Sequence, residues 1–186
     1  MKVTVYQTLT DRGNPDQIEA EGPFICNRKG AWLGQGYYFW EYSINNAHWW
    51  GKEGLRTSYI ICQATYVRDE KCLDLVDNPQ HLSLLQEVVK MMKEKGLYET
   101  EKTTVARIIE YLRRIGKFPF EATRVPGAGS RKGESNCDTI ILFKSRHPAY
   151  LDLCPPYQIC FYSKKALQLS GYKIVYPEGY MAGYGA

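Results

Sequence analysis

Two glycines one position apart, Gly34 and Gly36, lead directly into an aromatic run at positions 37–40. Glycines at this spacing allow a tight turn and the close approach of another group to the backbone. Aromatic residues favour β-strands, so a turn is predicted to enter a strand without an intervening loop. Ser43 then fits the N-cap of a short helix. This order of turn, aromatic strand and short helix constrains where the rest of the chain can pack.

The remaining sequence predicts short strands and two long helices. Asn78 and Pro79 form a helix start, and apolar residues recur at helical spacing from there to Lys95. A second apolar stripe at 105–115 ends at Gly116, and both stripes are typical of core-facing helices. Further predictions are strands at 3–8, 23–26, 58–67, 138–143, 158–162 and 172–176, a β segment ending at 74–77, a break at 51–54, and short helices at 15–21 and 164–169. Because the long helices follow each other, an α+β fold is favoured over a doubly wound parallel sheet.

Length and composition place limits on the class of protein. The 186 residues predict one domain, and a hydrophobic content of 44% with 24% charged residues is typical of globular proteins. The net charge of +4 is smaller than the strongly basic balance of a dedicated nucleic-acid binder. No apolar run approaches the roughly 20 residues of a membrane span, so no membrane partner is expected. The first residues lack the apolar core of a signal peptide, which predicts a cytoplasmic location.

The cysteines and histidines predict no metal site. The six cysteines include no Cys-x-x-Cys pair and are expected to be reduced thiols. The histidines, His48, His81 and His147, have no His or Cys partner at metal-ligand spacing.

Two basic segments are candidate phosphate contacts. The first is the turn at Arg28 and Lys29, and the second is the glycine-rich stretch at 127–133. A phosphate-binding loop of the dinucleotide type needs a strand before it and a helix after it, whereas Pro126 precedes the second segment and a polar turn is expected after it. A surface loop is therefore predicted at 127–133.

Three short motifs occur along the chain in an order that is typical of one enzyme family. Tyr6-Gln7-Thr8 lies on the first predicted strand, Tyr38 follows the glycine pair, and Gln158 begins a late strand. Together with Ala47 and Trp50 of the short helix, these motifs resemble the ADP-ribosyltransferase fold of the poly-ADP-ribose polymerases and diphtheria-toxin-like enzymes. The resemblance covers the two ends of the chain, and the middle helices are not diagnostic. It implies one domain, 1–186, with split, mostly antiparallel β-sheets around a cleft and flanking helices.

The family resemblance also implies roles for individual residues. In that family a His-Gly-Thr or His-Gly-Ser motif holds nicotinamide and its ribose, a later tyrosine stacks on nicotinamide, and a glutamate contacts the ribose. The implied catalytic residues here are Tyr38, Gln158 and Gln7. The implied NAD-binding residues are Tyr6, Thr8, Gly34, Gly36, Tyr38, Trp50 and Arg28.

The chain departs from the family pattern at two of the three motifs. Either Tyr6 or Gln7 stands in the place of the family's histidine. Gln158 stands where glutamate is expected, and a neutral amide can bond to a ribose hydroxyl but cannot supply a negative charge. The sequence offers Glu41, Glu134 and Asp152 as displaced acids and does not choose among them.

The resemblance therefore implies transfer of a single ADP-ribose from NAD to a protein or nucleic-acid acceptor, and argues against chain-elongating polymerase activity. A toxin-like intracellular role is compatible with such a chain. The alternatives are a catalytically inactive module that binds NAD or ADP-ribose, and a nucleic-acid-binding protein that stacks bases on its tyrosines. The acceptor, any antitoxin partner and the oligomeric state are not specified by the sequence.

Overall fold

The computed structural model describes residues 1–127, 140–146 and 149–181. Within these ranges the chain forms nine strands and four α-helices, with a π-helix and a 3₁₀-helix. The strands are β1 (Lys2–Thr10), β2 (Tyr37–Glu41), β3 (Tyr59–Val67), β4 (Cys72–Asp74), β5 (Ala122–Pro126), β6 (Ile140–Leu142), β7 (Tyr150–Asp152), β8 (Tyr157–Phe161) and β9 (Ser170–Tyr176). The helices are α1 (Pro15–Glu21), α2 (Ile44–Trp49), the π-helix (Trp50–Leu55), α3 (Pro79–Glu94), α4 (Val105–Arg114) and the 3₁₀-helix (Glu178–Tyr180).

Seven strands form one mostly antiparallel sheet in the order β4-β5-β8-β2-β1-β3-β9, which confirms the α+β class. Only β4 and β5 run parallel, and β6 and β7 form a separate hairpin. Hydrogen bonds connect each of these seven strands to its neighbour, but the pairing between β1 and β2 extends over only two positions. β1 pairs with β3 along its whole length, whereas it meets β2 only at Val5–Glu41 and Tyr6–Trp40. Beyond Tyr6, β1 and β2 separate.

The predicted helix starts and stops correspond to real caps. Ser43 Oγ accepts a hydrogen bond from the backbone N–H of Asn45, and Asn78 Oδ1 accepts from the first turn of α3. Gly96 and Gly116 have positive φ beyond the ends of α3 and α4, where a left-handed residue ends a helix. These caps depend on residues a few positions apart, which is why the sequence predicts them.

Three predicted elements were wrong. Positions 164–169 form a turn and an extended segment, since the described bonds there are short-range turn contacts such as Ala166 N–H to Ser163 O. The expected break at 51–54 is the π-helix, which keeps the chain on β3 because Gly51 lies against the ring of Tyr59. The strand expected at 23–26 is a single bridge between Cys26 and Gly36.

The two faces of the large sheet carry different cores. On one face, Phe39 of β2 packs with side chains of β1, β3, β5 and β8: Val3, Val5, Ala64, Tyr66, Ala122, Ile159 and Phe161. On the other face, α4 and the segment after β4 cover Cys160 and Val125. Helix α2 places Ala47 against Trp40 and Ile61 on the same side.

A charged cluster is built around a buried arginine of the sheet. Arg124 of β5 is 1% exposed, and its Nε donates to Glu41 of β2 at 2.6 Å. Its Nη1 donates to Asp74 at 2.9 Å and to Asp77 at 2.7 Å. The Tyr66 hydroxyl donates to the other oxygen of Glu41. The cluster thus links β2, β3, β4 and β5 through one guanidinium group.

Replacing Arg124 with methionine should strongly destabilise the protein. The change leaves Glu41, which is fully buried, without a cation, and breaking a buried pair in this way costs about 3–5 kcal/mol. Urea denaturation of the purified protein measures the loss in the free energy of unfolding. The matched control is Lys71→Ala, which removes the exposed pair with Glu121 and should cost less than about 1 kcal/mol. Equal losses in the two variants would contradict the role assigned to the cluster.

The same cluster predicts a loss of stability in acid. Burial alone raises the pKa of Asp74, but backbone N–H donors of Val76 and Asp77, together with Arg124, hold this pKa below its ordinary value. Asp74 therefore contributes stability above the ordinary aspartate pKa of about 3.9, and the contribution disappears as pH falls through the lower folded pKa.

Urea denaturation at neutral pH and at about pH 3 tests this dependence. We expect the free energy of unfolding to fall less between the two pH values in Asp74→Asn than in the wild type. Asp16→Asn, at an exposed carboxylate, is the matched control. An Asp74→Asn variant with the full acid dependence of the wild type would show that other carboxylates account for it.

Candidate functional site

A cavity of about 630 Å³ lies where β1 and β2 separate. One wall is the second half of β1, and the opposite wall is formed by β2 and β8. The segment between α1 and β2 closes a third side. The lining comprises Gln7, Thr8, Leu9, Thr10, Arg12, Asn14, Ile18, Phe24, Ile25, Cys26, Asn27, Arg28, Gly30, Ala31, Trp32, Tyr38, Trp40, Trp50, Leu55 and Gln158. Its size is within the range of small-molecule and cofactor sites, about 300–1,000 Å³.

The glycine pair positions Tyr38 in this cavity. Gly34 has a φ of 83°, which turns the chain back so that the Tyr38 hydroxyl donates to Gly34 O and accepts from Leu33 N–H at 3.0 Å. Gly36 lies so close to Cys160 and Phe161 of β8 that a Cβ would overlap both residues. Burial raises the pKa of Tyr38. Tyr38 therefore presents a neutral, immobilised ring to the cavity.

Two tryptophans extend this aromatic wall. Trp40 follows Tyr38 by two positions on β2, so both side chains lie on one face of the strand. The ring centroids of Trp40 and Trp49 are 6.2 Å apart in an edge-to-face arrangement, and Trp49 contacts Trp50. Trp50 opens the π-helix, and the Arg28 guanidinium lies 5.5 Å from its ring centroid. π-Helical turns are often found at functional sites.

Gln158 is a buried polar side chain that lines the cavity. It lies between Trp40 of β2 and Val125 of β5 in the sheet and is 9% exposed. Its side-chain amide makes no hydrogen bond with a described residue, and its polar atoms are not fully buried, so solvent or a ligand in the cavity can reach them. A ligand in the cavity can therefore bond to this amide.

Gln7 also lines the cavity, but both Nε2 and Oε1 of its amide already make hydrogen bonds within the protein. Its Nε2 donates to Phe24 O at 2.8 Å, and its Oε1 accepts from Phe24 N–H at 3.0 Å and from the Tyr172 hydroxyl at 2.8 Å. Gln7 therefore attaches the segment after α1 to the sheet. The Thr8 hydroxyl donates to Ala47 O at 2.9 Å, which ties α2 to β1.

Tyr6 lies outside this cavity. It packs against Trp40 and lines a second cavity of about 450 Å³, together with Tyr42, Ser43 and Cys154. Of the residues implied by the family resemblance, the structure brings together six around the first cavity: Gln7, Thr8, Arg28, Tyr38, Trp50 and Gln158. Gly34 and Gly36 shape the turn behind it.

The described lining residues include no carboxylate, and two arginines, Arg12 and Arg28, are exposed at its edge. This distribution suits a neutral or anionic ligand. Of the three displaced acids, Glu41 is paired with Arg124 and belongs to the opposite face of β2. Asp152 lies on β7 outside the lining and accepts from Cys154 N–H at 2.8 Å, while Glu134 is outside the described residues.

Sequence reasoning missed Trp40 and Arg12 as cavity residues. The alternation along β2 was enough to find Trp40, because it shares a face with Tyr38. Arg12 had no such signal, since its place depends on how β1 diverges from β2. The stretch 128–133, predicted as a surface loop, is outside the described residues, as is His147.

Metal binding and membrane spanning find no support in the described part of the chain. It contains no group of three His, Cys, Asp or Glu side chains suited to a metal ion. His48 instead contacts the Tyr59 hydroxyl at 3.0 Å, and burial lowers its pKa. No helix in the described ranges is long and apolar enough to cross a bilayer.

Comparison of the chain with protein-family models, with curated proteins and with solved structures finds no match.

The close packing of Gly36 yields a stability prediction for the site. Gly36→Ala places a methyl group against Cys160 and Phe161, and overpacking of this kind costs about 1–3 kcal/mol. Gly30→Ala is the matched control, because no atom lies within 4 Å of a Cβ at that position. Urea denaturation compares the two variants. Equal stability of both would mean that β2 and β8 do not pack as closely here as the structure indicates.

Proposed function

We propose that the cavity binds NAD and that the protein transfers a single ADP-ribose from it to a protein or nucleic-acid acceptor. The observation that carries the proposal is the side-chain amide of Gln158, which makes no hydrogen bond with a described residue and lines the same cavity as the rings of Tyr38 and Trp50. The three side chains come from distant parts of the chain, and each stands at a motif position of the family resemblance.

The chemistry of the lining suits the parts of NAD. A flat nicotinamide ring fits against aromatic side chains, with stacking worth about 0.5–1.5 kcal/mol beyond burial by analogy with aromatic pairs. The diphosphate suits the guanidinium groups of Arg12 and Arg28. Gln158 has both an acceptor and a donor for a ribose hydroxyl or the nicotinamide amide.

In the proposed reaction the glycosidic bond between ribose C1′ and the nicotinamide nitrogen breaks. The bonding electron pair goes to nicotinamide and neutralises its pyridinium charge. The acceptor's nucleophilic atom bonds to C1′, and the acceptor's proton passes to solvent. The developing positive charge on the ribose favours an electron-rich aromatic face such as Tyr38 and an aligned polar group such as Gln158 Oε1.

A second candidate function is a module that binds NAD or ADP-ribose without turnover. It is favoured by the absence of a carboxylate from the described lining, together with Gln158 at the family's glutamate position. A neutral amide stabilises a cation less than a carboxylate does. For the same reason, chain-elongating polymerase activity is not part of the proposal.

The first experiment measures nicotinamide release from NAD by the purified protein, with cell lysate as the source of acceptor. We expect release by the wild type and at least a tenfold reduction in Tyr38→Ala, through lost stacking and burial. Gln158→Ala should also reduce release, and Gln158→Glu should raise it by restoring a negative charge. Gln86→Ala, at an exposed glutamine of α3 outside the lining, is the matched control.

The melting temperature with and without NAD separates the remaining outcomes. No release combined with stabilisation by NAD would favour the binding module, and release gained only in Gln158→Glu would support it further. Neither release nor stabilisation would contradict NAD binding in this cavity. Nucleic-acid binding that falls steeply with salt and needs no NAD would point to the third class instead.

A further inference from the structure

The β6–β7 hairpin carries an unusual concentration of exposed apolar side chains. Ile141, Leu142 and Phe143 of the first strand region are 54%, 54% and 71% exposed. Tyr150, Leu151 and Leu153 on the returning side are 46–56% exposed. Large contiguous apolar patches are rare on monomeric proteins and mark contact surfaces. A two-stranded hairpin is also only marginally stable in water by itself.

The exposed residues occupy both faces of the hairpin. Ile141 pairs with Leu151 in the sheet register, and the next pair, Leu142 and Tyr150, lies on the opposite face because side chains alternate along a strand. A protein partner that packs on one face leaves the other face in water. A lipid interface surrounds a narrow hairpin and covers both faces together.

The tip of the hairpin adds positive charge to this apolar surface. Lys144 and Arg146 are exposed next to Phe143 at the end where β6 turns towards β7. The described acid of the hairpin, Asp152, pairs with Ile140 at the other end. Apolar side chains flanked by Lys and Arg are the composition that binds at the surface of anionic membranes.

The dimensions of the hairpin fit contact with the interface and exclude deep insertion. Each strand has three residues and is therefore about 10 Å long. Interfacial segments enter the boundary of headgroups and acyl chains by about 5–10 Å. A membrane-spanning strand needs about 9–11 residues, so strands of this length reach the hydrated interface and no deeper.

Within the described ranges, none of the hydrophobic clusters includes a side chain of the hairpin. We propose that the β6–β7 hairpin binds the surface of anionic lipid membranes, with Leu142 and Phe143 in the interface and Lys144 and Arg146 at the headgroups. The expectation of no membrane partner rested on the missing spanning segment, and a surface contact needs none.

Co-sedimentation of the full chain with vesicles tests the proposal. We expect binding to phosphatidylcholine vesicles that contain phosphatidylserine, and weaker binding to phosphatidylcholine alone. Removing both cations in Lys144→Ala/Arg146→Ala should weaken binding about fivefold for each cation, since each contributes about 1 kcal/mol near an anionic surface. Leu142→Ser/Phe143→Ser should reduce binding further, to the level of a sample without vesicles.

The control variants also remove exposed positive charge or an exposed apolar side chain, but at positions outside the hairpin. Lys90→Ala/Lys117→Ala removes two exposed lysines from the helical region, and Val67→Ser removes an exposed apolar residue from β3. Both controls should bind vesicles like the wild type. Circular dichroism of each variant verifies that the fold is retained, because all substituted side chains are exposed.

Three results would overturn the proposal. One is an absence of binding to anionic vesicles, and another is equal weakening by the controls and the hairpin variants. The third is a dimer, found by light scattering, that Leu142→Ser/Phe143→Ser dissociates, since the surface would then join two copies of the chain. The vesicle assay contains no NAD, so its outcome is separate from that of the proposed transferase function.

Discussion

The buried guanidinium of Arg124 is the constraint on which the large sheet depends. A buried charge without partners costs several kcal/mol, so the fold must bring Glu41, Asp74 and Asp77 to it. These acids belong to β2, β4 and the segment before α3, and Tyr66 of β3 completes the bonding of Glu41. One charged group therefore sets the relative positions of four strands, although no two of these strands are adjacent in the sheet except β4 and β5.

The two faces of β2 have different surroundings in this arrangement. Phe39 and Glu41 point to the packed core and the charged cluster, while Tyr38 and Trp40 point to the cavity. The cavity exists because β1 leaves β2 after only two paired positions, which opens the sheet beside Tyr38. Glu41 is held by Arg124 and Asp152 lies on β7 outside the lining, so the described lining keeps aromatic rings, amides and arginines. For the proposed NAD-dependent function, this composition suits the ligand but supplies little negative charge to stabilise a developing cation.

Much of the fold was predictable because it depends on local interactions. The turn before β2, the cap at Ser43 and the two long helices follow from residues within a few positions of one another. β5 was missed because a fully buried arginine interrupts its apolar pattern, and the charge is tolerable only with partners from other strands. The π-helix was missed because its two glycines indicate a break, whereas the contact of Gly51 with Tyr59 holds the segment in place.

Gln7 and Gln158 illustrate the difference between what the sequence predicts and what depends on the tertiary structure. The sequence by itself determined that each is a polar residue on a strand, near the first and last motifs of the family resemblance. Only the tertiary structure decided that the amide of Gln7 is held by Phe24 and by a tyrosine 165 residues away, and that the amide of Gln158 makes no hydrogen bond with a described residue and faces the cavity. The physical reason is that hydrogen-bond satisfaction depends on neighbours in space, and both partners of Gln7 are remote in the chain.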